Sequence, residues 1–562
     1  MRGPDDNAPS PYAGRWVARL QGRIIAHGGT PEAALRAAQA SRHKERPEIS
    51  FIPADPALVF SPLVHRVAQV AQDQNVYLVG GAVRDALRGG VSHDFDFSLP
   101  KDAIQLARRV AGALGADFYI LDESFDAGRV IVQQPAGGPR DVLDFSAFRA
   151  PDLEADLAGR DFTINAMAVN LRDWTVMDPC NGVSDLRTRW IRACSATAME
   201  DDPIRVLRAV RLAAALDFRI ESETRRAMKR AVSFLPAVST ERRRDELFKI
   251  LDGARVDTAL RALELLGVFP YLLPELSALK GGKQSAPHVY DVWEHTLSVI
   301  QSLERILGTL APGGEEGGAT GILPSLLRLG LGRYEEQLAA HLSRPLNPDR
   351  TLRALLLFAA LYHDVAKPAT RSTDENGRIH FLGHDQEGAR LAADRGRAFN
   401  LSSDEIARVH TVIENHLRLS FLANRMATEG TPPSGRAIHR FFRDAGEAGV
   451  DLVLLGLADE MGTRGTTLTA ESWTVFVDVG RVLLENFWEK PAQAVAPRAL
   501  VDGQVVMDEY GLVQGPQVGE VLEAIRAAQA AGEVGSREEA LAFGRRWLTE
   551  RRGGELGAGA DP

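Results

Sequence analysis

The stretch that decides the fold begins at Val79-Gly80-Gly81-Ala82-Val83-Arg84-Asp85-Ala86-Leu87 and leads on to His93-Asp94-Phe95-Asp96-Phe97. A short β-rich run enters paired glycines and then a helix-forming segment. Glycine lets backbone N–H groups approach a phosphate closely, and a helix N-terminus favours negative charge. The Arg84 guanidinium can hold the same phosphates. The stretch therefore predicts a strand–turn–helix unit that binds phosphate, although most paired glycines are only turns.

Two carboxylates sharpen that prediction. Residues at positions i and i+2 of a strand point to the same side, so Asp94 and Asp96 converge while Phe95 and Phe97 point into the core. Two like charges so close repel each other unless a cation lies between them. Carboxylate oxygens suit a hard Mg²⁺ ion, which in turn suits two-metal nucleotidyl transfer. The alternative for a bare Asp-x-Asp is a solvated acidic loop, and the preceding glycine turn favours the metal site.

These residues resemble the nucleotidyltransferase head of the bacterial class II CCA-adding enzymes and poly(A) polymerases. Five further segments match motifs of that family in the family's own order. They are Asp144–Arg149, Arg160–Ala168, Asp178–Leu186, Asp201–Arg211 and Glu241–Leu251.

The resemblance implies an α+β protein. We expect a polymerase-beta-like nucleotidyltransferase head, followed by an all-α neck, an HD domain and a C-terminal helical domain. It also implies that the head is catalytic and uses Mg²⁺. The catalytic carboxylates would be Asp94, Asp96 and Asp144, with the metal on Asp94 and Asp96.

The family motifs also imply which side chains contact the nucleotide. Two positions depart from the family pattern: Gly159 stands where a first arginine is usual, and Asp201 replaces a glutamate. The first change removes one contact to phosphate or sugar, and neither removes a catalytic group. The expected nucleotide-binding residues are Gly80, Gly81, Arg84, Arg160, Asp161, Asn165, Asp202, Arg205, Arg208 and Arg211.

The segment Asp202-Pro203-Ile204-Arg205 has two interpretations. Asp before Pro is a common helix start, with the acid as N-cap. The i, i+3 spacing also places Asp202 and Arg205 on one turn. Cytosine and adenine both present an amino donor beside a ring-nitrogen acceptor, which a carboxylate and a guanidinium can pair. Uracil and guanine have the opposite polarity and would leave polar groups unpaired. The pair can therefore accept CTP and ATP while refusing UTP and GTP.

The charge distribution predicts where RNA binds. The chain carries 66 Lys plus Arg against 75 Asp plus Glu, a net charge of −9, whereas residues 187–250 hold 15 basic and 9 acidic residues. Such a local reversal is typical of a phosphate-binding surface, although any single charged run is usually a solvated helix face. Candidate contacts to tRNA are Arg225, Arg226, Arg242, Arg243 and Arg244.

A second site is predicted on apolar helical stretches. The segments Trp293–Leu297, Ala360–Pro368 and Leu457–Asp459 resemble the ordered His…His-Asp…Asp ligands of HD-domain phosphohydrolases. Each alone would be more easily explained as a buried polar residue of the core. Mixed His and Asp ligands favour a divalent transition metal, which would activate water for phosphoester hydrolysis. The expected ligands are His295, His363, Asp364, His384, His416 and Asp459.

Length and composition set the remaining expectations. A chain of 562 residues needs several domains. We expect a β/α module of unknown role at 1–56, the head at 57–185, the neck at 186–284, the HD domain at 285–470 and a helical tail at 471–562. Two cysteines and a polar N-terminus favour the cytoplasm. No apolar run is long enough for a membrane helix, and no protein partner is identifiable.

The leading interpretation is a template-independent tRNA nucleotidyltransferase that builds or repairs CCA from CTP and ATP and releases diphosphate. A poly(A) polymerase or a partial enzyme that adds only CC or only A shares nearly all the same motifs. A different class of function, a metal-dependent HD phosphohydrolase with a vestigial head, is disfavoured because Asp94, Asp96, Asp202 and Arg205 are all present.

Overall fold

The computed structural model describes residues 12, 15–20, 23–40, 47–52, 60–133, 140–313, 321–347 and 350–557. The chain forms two compact units, Met1–Val238 and Ser239–Pro562. Their boundary falls inside the segment 186–284 that we predicted as the neck. Within the described ranges, no helix is both long and apolar enough to cross a membrane.

The first unit begins with a small module of three strands and one helix, as the sequence predicted. Strand β1 pairs antiparallel with β2 on one side and with β3 on the other. Thr30 opens the helix, because its hydroxyl accepts a hydrogen bond from the Ala33 N–H at 3.1 Å. The elements are β1 (Arg15–Leu20), β2 (Arg23–Gly28), α1 (Pro31–Ala40) and β3 (Glu48–Ile52).

This module packs directly on the head. The backbone N–H of Asp178 donates to the Gly29 carbonyl at 2.6 Å, and the Trp16 indole donates to the Val176 carbonyl at 3.2 Å. A Cβ atom added to Gly29 would lie 1.3 Å from the Asp178 carbonyl oxygen, so only glycine fits there. The N-terminal module is therefore an integral part of the first unit.

The head is built on a mixed seven-stranded sheet of order β10-β9-β4-β5-β8-β7-β6. Only β5 and β8 run parallel, and every other neighbouring pair is antiparallel. Helix α4 (Ala103–Leu114) packs its apolar side on β7 and β8. The strands are β4 (Tyr77–Val79), β5 (Asp94–Leu99), β6 (Asp117–Asp122), β7 (Ala127–Val132), β8 (Asp141–Ala147), β9 (Ala168–Asn170) and β10 (Val176–Met177).

Besides α1 and α4, the described part of the first unit contains seven further α-helices. A short parallel pair, β11 (Trp190–Ile191) with β12 (Arg219–Ile220), interrupts the predicted all-helical neck. It forms because Arg219 and Glu221 donate backbone hydrogen bonds to the carbonyls of Arg189 and Ile191 at 2.9 and 3.0 Å. The helices are α2 (Pro62–Val70), α3 (Gly81–Leu87), α5 (Leu153–Ala158), α6 (Gly182–Thr188), α7 (Ala198–Asp201), α8 (Arg205–Leu216) and α9 (Ser222–Ala231).

The second unit is almost entirely helical. Its core is formed by α16, whose residues from Leu352 to Tyr362 are nearly all buried, and by α22. The helices are α10 (Thr240–Leu251), α11 (Val256–Leu266), α12 (Phe269–Leu272), α13 (Val292–Thr309), α14 (Ile322–Leu331), α15 (Glu335–Ser343), α16 (Leu352–Tyr362), α17 (Lys367–Thr370), α18 (His384–Ala398), α19 (Ser403–Glu414), α20 (Arg418–Glu429), α21 (Gly435–Ala445), α22 (Ala448–Arg464), α23 (Ala470–Trp488), α24 (Gly503–Tyr510), α25 (Pro516–Ala530) and α26 (Arg537–Gly557).

Candidate active site and candidate metal centre

The three predicted catalytic carboxylates lie on two neighbouring strands. On β5 the alternation is as expected: Asp94 and Asp96 are exposed, while Phe95 and Phe97 are buried. The parallel register places Asp96 directly beside Asp144 on β8. The structure thus brings the carboxylates of Asp94, Asp96 and Asp144 together on one face of the sheet. Such a set of oxygen ligands fits a hard divalent cation.

Asp144 differs from the other two carboxylates because it is already paired. The Arg129 guanidinium on β7 donates to both carboxylate oxygens of Asp144, at 2.7 and 2.8 Å. Sequence reasoning missed Arg129. The signal that could have found it is strand register, since Arg129 lies opposite Asp144 in the antiparallel β7–β8 pair. This cation neutralises the third carboxylate of the cluster.

The Gly80-Gly81 turn lies next to the carboxylates. Gly80 has a φ of +73°, and an added Cβ would lie 3.0 Å from Asp96 Oδ2, so the turn and the acid are in close approach as predicted. Desolvation by the surrounding protein atoms raises the pKa of Asp96. The positive charge of Arg160 opposes this rise, and the negative charges of Asp144 and Asp94 reinforce it. A cation bound among these groups would relieve that repulsion.

Next to the turn, one hydrogen-bonded network connects four of the ten predicted nucleotide-binding residues. Arg84 Nη1 donates to Asn165 Oδ1 at 2.8 Å, and Asn165 Nδ2 donates to Asp161 Oδ1 at 3.1 Å. Arg208 Nη1 lies 3.0 Å from the other oxygen of Asp161. Asp161 therefore connects two segments from the inside.

Arg205 and Arg160 are also held by the protein. Arg205 donates to the backbone carbonyls of Arg160 and Ala198, both at 3.3 Å, and of Gly159 at 3.1 Å. Arg160 lies 3.5 Å from the Asp156 carboxylate. The position of Gly159, where the family pattern has an arginine, thus supplies a carbonyl that orients Arg205.

Helix α8 begins three residues after Asp202. Asp202 has an extended backbone and follows α7, while its carbonyl accepts from the Arg205 N–H at 3.0 Å. The N-cap of α8 is Ile204, so the predicted N-cap role of Asp202 is wrong: the Asp–Pro–Ile segment turns before the helix starts. Asp202, Arg205, Arg208 and Arg211 remain half-buried along this turn and helix.

In the second unit, all six predicted HD ligands come together. His295 Nε2 lies 3.2 Å from His363 Nε2, from Asp364 Oδ2 and from Asp459 Oδ1. Two ligand groups of metal-binding size form here. They are His295, His363 and Asp459, and Asp364, His384 and His416.

The orientation of the histidines favours metal binding. His363, His384 and His416 each direct Nδ1 at a backbone carbonyl of the preceding turn, at 2.7, 2.6 and 2.6 Å respectively. This leaves every Nε2 aimed at the centre of the cluster. His384 Nε2 lies 3.4 Å from Asp364 Oδ1 inside the buried cluster, and nitrogen and carboxylate donors brought together in this way fit a metal.

Contacts among the charged residues of this cluster determine which of them are protonated. Burial lowers the pKa of His295, but hydrogen bonds to Asp364 and Asp459 outweigh it and raise that pKa to about 9. Burial raises the pKa of Asp364, but His363 and Lys367 hold it well below its usual range. Without a metal, His295 thus carries a proton at the place where a metal would bind.

Lys367, Gln284 and His288 border the cluster and were missed by sequence reasoning. Lys367 Nζ lies 2.6 Å from Asp364 Oδ2, donates to Gln284 Oε1 at 2.7 Å, and approaches His288 Nε2 at 3.4 Å. The i, i+3 spacing from Asp364 to Lys367 was the available signal. Gln284 and His288 lie in an irregular segment that carried none.

The basic residues predicted to bind RNA differ in how they are held. Arg225, Arg226 and Arg242 are exposed, on α9 and α10. Arg244 is bound internally, because it donates to Asp245 at 2.8 Å and to the carbonyls of Phe399 and Asn400. Arg243 is half-buried and donates to Thr240.

Four family models match consecutive parts of the chain. A family of unknown function matches residues 10–55, and the poly A polymerase head domain matches residues 76–192. The probable RNA and SrmB-binding site of polymerase A matches residues 217–280, and the HD domain matches residues 292–441.

Relatives match over nearly their whole length. The chain is 33% identical to an A-adding tRNA nucleotidyltransferase of Deinococcus radiodurans, over 85% of this chain and 96% of that protein. It is 32% identical to a CC-adding enzyme of Thermus thermophilus, over 87% and 96%. A solved CCA-adding enzyme in its apo form is 21% identical, covers 85% of this chain and 92% of its own, and has a TM-score of 0.53, which supports the fold. With this fold and these residues in place, the chain belongs to the tRNA nucleotidyltransferase family.

Proposed function

We propose that this protein adds C and A, taken from CTP and ATP, to the 3′ end of tRNA, building or repairing CCA and releasing diphosphate. The observation that carries the proposal is the open pair Asp94 and Asp96 beside the Gly80-Gly81 turn. The relatives that match over 96% of their own length support nucleotide addition to tRNA, because they are named for adding A or CC.

In this proposal, Asp94 and Asp96 hold Mg²⁺, and Asp144 completes the catalytic group. The bound ion would supply charge stabilisation for the attacking and leaving oxygens. The Gly80 backbone and Arg84 position the triphosphate, since the turn opens α3 and Arg84 is fixed by Asn165. Arg129 keeps the Asp144 carboxylate oriented and partly neutralised.

Base selection would rest on Asp202 and Arg205. The carboxylate accepts from the amino group of cytosine or adenine, and the guanidinium donates to the ring nitrogen. Arg205 is held by three backbone carbonyls, so it needs little reordering when the base arrives. Arg160, Asp161, Asn165, Arg208 and Arg211 complete the proposed nucleotide-binding set, and Arg208 and Arg211 would reach toward the triphosphate.

A second candidate is addition of only part of CCA. One specific observation favours it: the relatives that match 85% and 87% of this chain are separate A-adding and CC-adding enzymes. By contrast, the multifunctional CCA protein of Pseudomonas aeruginosa matches only 41% of it. A poly(A) polymerase is the third member of the same class.

One assay separates these candidates. The full-length protein is incubated with tRNA that ends at the discriminator base, at the first C, at the second C or at the final A, with CTP, ATP or both. Completion of CCA supports the full enzyme. Arrest after CC, or extension only of the CC-ending tRNA, identifies a partial enzyme. Long A tails identify a polymerase, and no extension of any substrate rejects the proposal.

At the HD cluster we propose a divalent transition metal bound by His295, His363, Asp364, His384, His416 and Asp459. The mixed donor set and the converging Nε2 atoms support it. Phosphoester hydrolysis at this site is the alternative activity of another class. Shortening or dephosphorylation of the RNA in the same assay would reveal it.

The remaining predictions complete the proposal. Arg225, Arg226, Arg242, Arg243 and Arg244 are the proposed contacts to tRNA phosphates, and the first three of them are exposed. We retain the five domains at 1–56, 57–185, 186–284, 285–470 and 471–562. A separate apolar core that runs from Val501 to Leu548 supports the last of them.

We place the protein in the cytoplasm.

A further inference from the structure

The chain has two cysteines, and the fold brings them together. Cys180 and Cys194 are 14 positions apart in the sequence. Both pack against the same apolar cluster in the head, which includes Val79, Leu157 and Ala166. The two thiols are near enough for each to shift the pKa of the other. Both side chains are half-buried and neither is fully enclosed.

The pair flanks the segment that carries Asp161. The backbone N–H of Cys194 donates to the Asp161 carbonyl at 3.2 Å, and the neighbouring Ala193 forms a β-bridge with Phe162. Cys180 lies in the turn between β10 and α6. That turn ends at Gly182, where an added Cβ would be 2.1 Å from the Thr163 carbonyl oxygen. The two cysteines thus belong to the two segments that enclose residues 161–163.

We propose that Cys180 and Cys194 are a site of reversible oxidative modification, at which a disulfide between them restrains the Asp161 segment and thereby changes nucleotide binding. The effect on nucleotide binding rests on the proposed function of that segment. The bond would join two segments that already contact residues 161–163. Disulfides inside the cytoplasm are usually transient and regulatory, which fits such a role.

The chemistry is a thiol–disulfide exchange with a low-molecular-weight disulfide, RSSR. The Cys180 thiolate attacks one sulfur of RSSR, whose S–S bond breaks and releases RS⁻. Cys194 then loses its proton to solvent and attacks the Cys180 sulfur, which releases the second RS⁻. The two cysteines lose two electrons and two protons in total, and RSSR is reduced to two RSH.

The electrostatics favour Cys180 as the first nucleophile. The nearby Cys194 thiol lowers the pKa of Cys180, against the opposing effect of burial, while Cys180 raises the pKa of Cys194. A thiolate is the attacking species in exchange. Cys194 therefore resolves the mixed disulfide.

The test uses the full-length protein in mixtures of reduced and oxidised glutathione, quenched with acid. The wild-type protein should lose about 2 Da, and peptide mapping should join Cys180 to Cys194. Amide hydrogen exchange across residues 161–165 should slow on oxidation. The KM for the nucleotide should change about fivefold or more, and reduction should reverse the change. Cys180→Ser and Cys194→Ser should show none of these responses to oxidant.

Several results would overturn the proposal: thiols that stay free in the wild type, glutathione adducts without the internal bond, or a bond that leaves hydrogen exchange and KM unchanged. Failure of the proposed function looks different. In that case the reduced wild-type protein incorporates no nucleotide, while the mass and hydrogen-exchange measurements still decide whether the disulfide forms and restrains the segment.

Discussion

The protein has two candidate metal sites that differ in nearly every physical respect. At the head, Asp94 and Asp96 offer only oxygen ligands and are exposed on one face of a strand. In the second unit, four histidines and two aspartates form a cluster in which every residue is buried. An open oxygen site suits a hydrated Mg²⁺ ion that arrives with a triphosphate, whereas the buried mixed site suits a resident transition metal.

Their electrostatics differ in the same direction. The head places three carboxylates on adjacent strands and compensates Asp144 with Arg129, which leaves the oxygens of Asp94 and Asp96 as ligands for a cation. The HD cluster balances its carboxylates internally with His295 and Lys367. A metal therefore adds missing positive charge at the head, but at the HD cluster it must displace a proton.

The largest expected effect is the loss of nucleotide incorporation in the Asp96→Ala variant. Removing this carboxylate should lower nucleotide incorporation by at least about 10³-fold, about 4 kcal/mol of transition-state stabilisation, because the catalytic metal loses a central ligand. Asp94→Ala should behave likewise. Initial rates with saturating CTP and ATP measure the loss.

Asp73→Ala is the matched control, because Asp73 is an exposed acid of the same unit that pairs with Arg109. It should retain the wild-type rate. Metal content at the HD cluster should be unchanged in all three variants. Incorporation by Asp96→Ala within tenfold of the wild-type rate would contradict the assignment.

The next variant, His363→Ala with Asp364→Ala, removes two HD ligands together. Because both groups of the cluster then lose a ligand, the variant should retain no stoichiometric transition metal by elemental analysis, while it still extends tRNA. His380→Ala is the control, since His380 pairs with Asp374 away from the cluster. A wild-type protein that is purified under metal-replete conditions and contains no transition metal would count against the site.

The pH dependence of metal affinity tests the protonation of the HD cluster. Hydrogen bonds to Asp364 and Asp459 outweigh the effect of burial and raise the pKa of His295 to about 9, so below that pH the apo histidine is protonated and must lose its proton before it binds metal. Metal affinity should therefore rise about tenfold per pH unit from pH 7 to pH 9 and then level off.

Titration of the apo protein with Zn²⁺ in a weakly coordinating buffer would measure this slope. Calorimetry in buffers of different ionisation enthalpy would count the released protons. A flat response between pH 7 and pH 9 would show that His295 is neutral in the apo protein or does not bind the metal.

The sequence predicted much of this molecule because its signals were local. Alternation placed the carboxylates of β5 on one face, and Thr30 with Pro31 marked the start of α1. The six HD ligands could be named from their resemblance to the ordered ligands of HD-domain phosphohydrolases. Their convergence, however, followed from resemblance and not from spacing, since His295 and Asp459 are far apart along the chain.

What the sequence did not reveal depends on pairing between distant segments. Arg129 meets Asp144 only through strand register, and Gly159 orients Arg205 through a carbonyl that every residue possesses. The start of α8 was misplaced because Asp202 and Pro203 form a standard helix-start pattern, whereas the backbone at Asp202 is extended as it leaves α7. Tertiary contacts overrode the local preference there.

The smallest expected effect concerns selection at the head. Arg205→Ala should reduce discrimination between CTP or ATP and the other two nucleotides by about tenfold to a hundredfold, about 1–3 kcal/mol, before it abolishes transfer, because the wrong base no longer leaves a buried donor unpaired. The ratio of kcat/KM for CTP and UTP on the same tRNA is the measurement. Arg187→Ala, at an exposed position on α6, should leave that ratio unchanged. An equal loss for all four nucleotides would make Arg205 a phosphate contact, and an unchanged ratio would remove it from base selection, which would then rest on Asp202 and the geometry of the turn before α8.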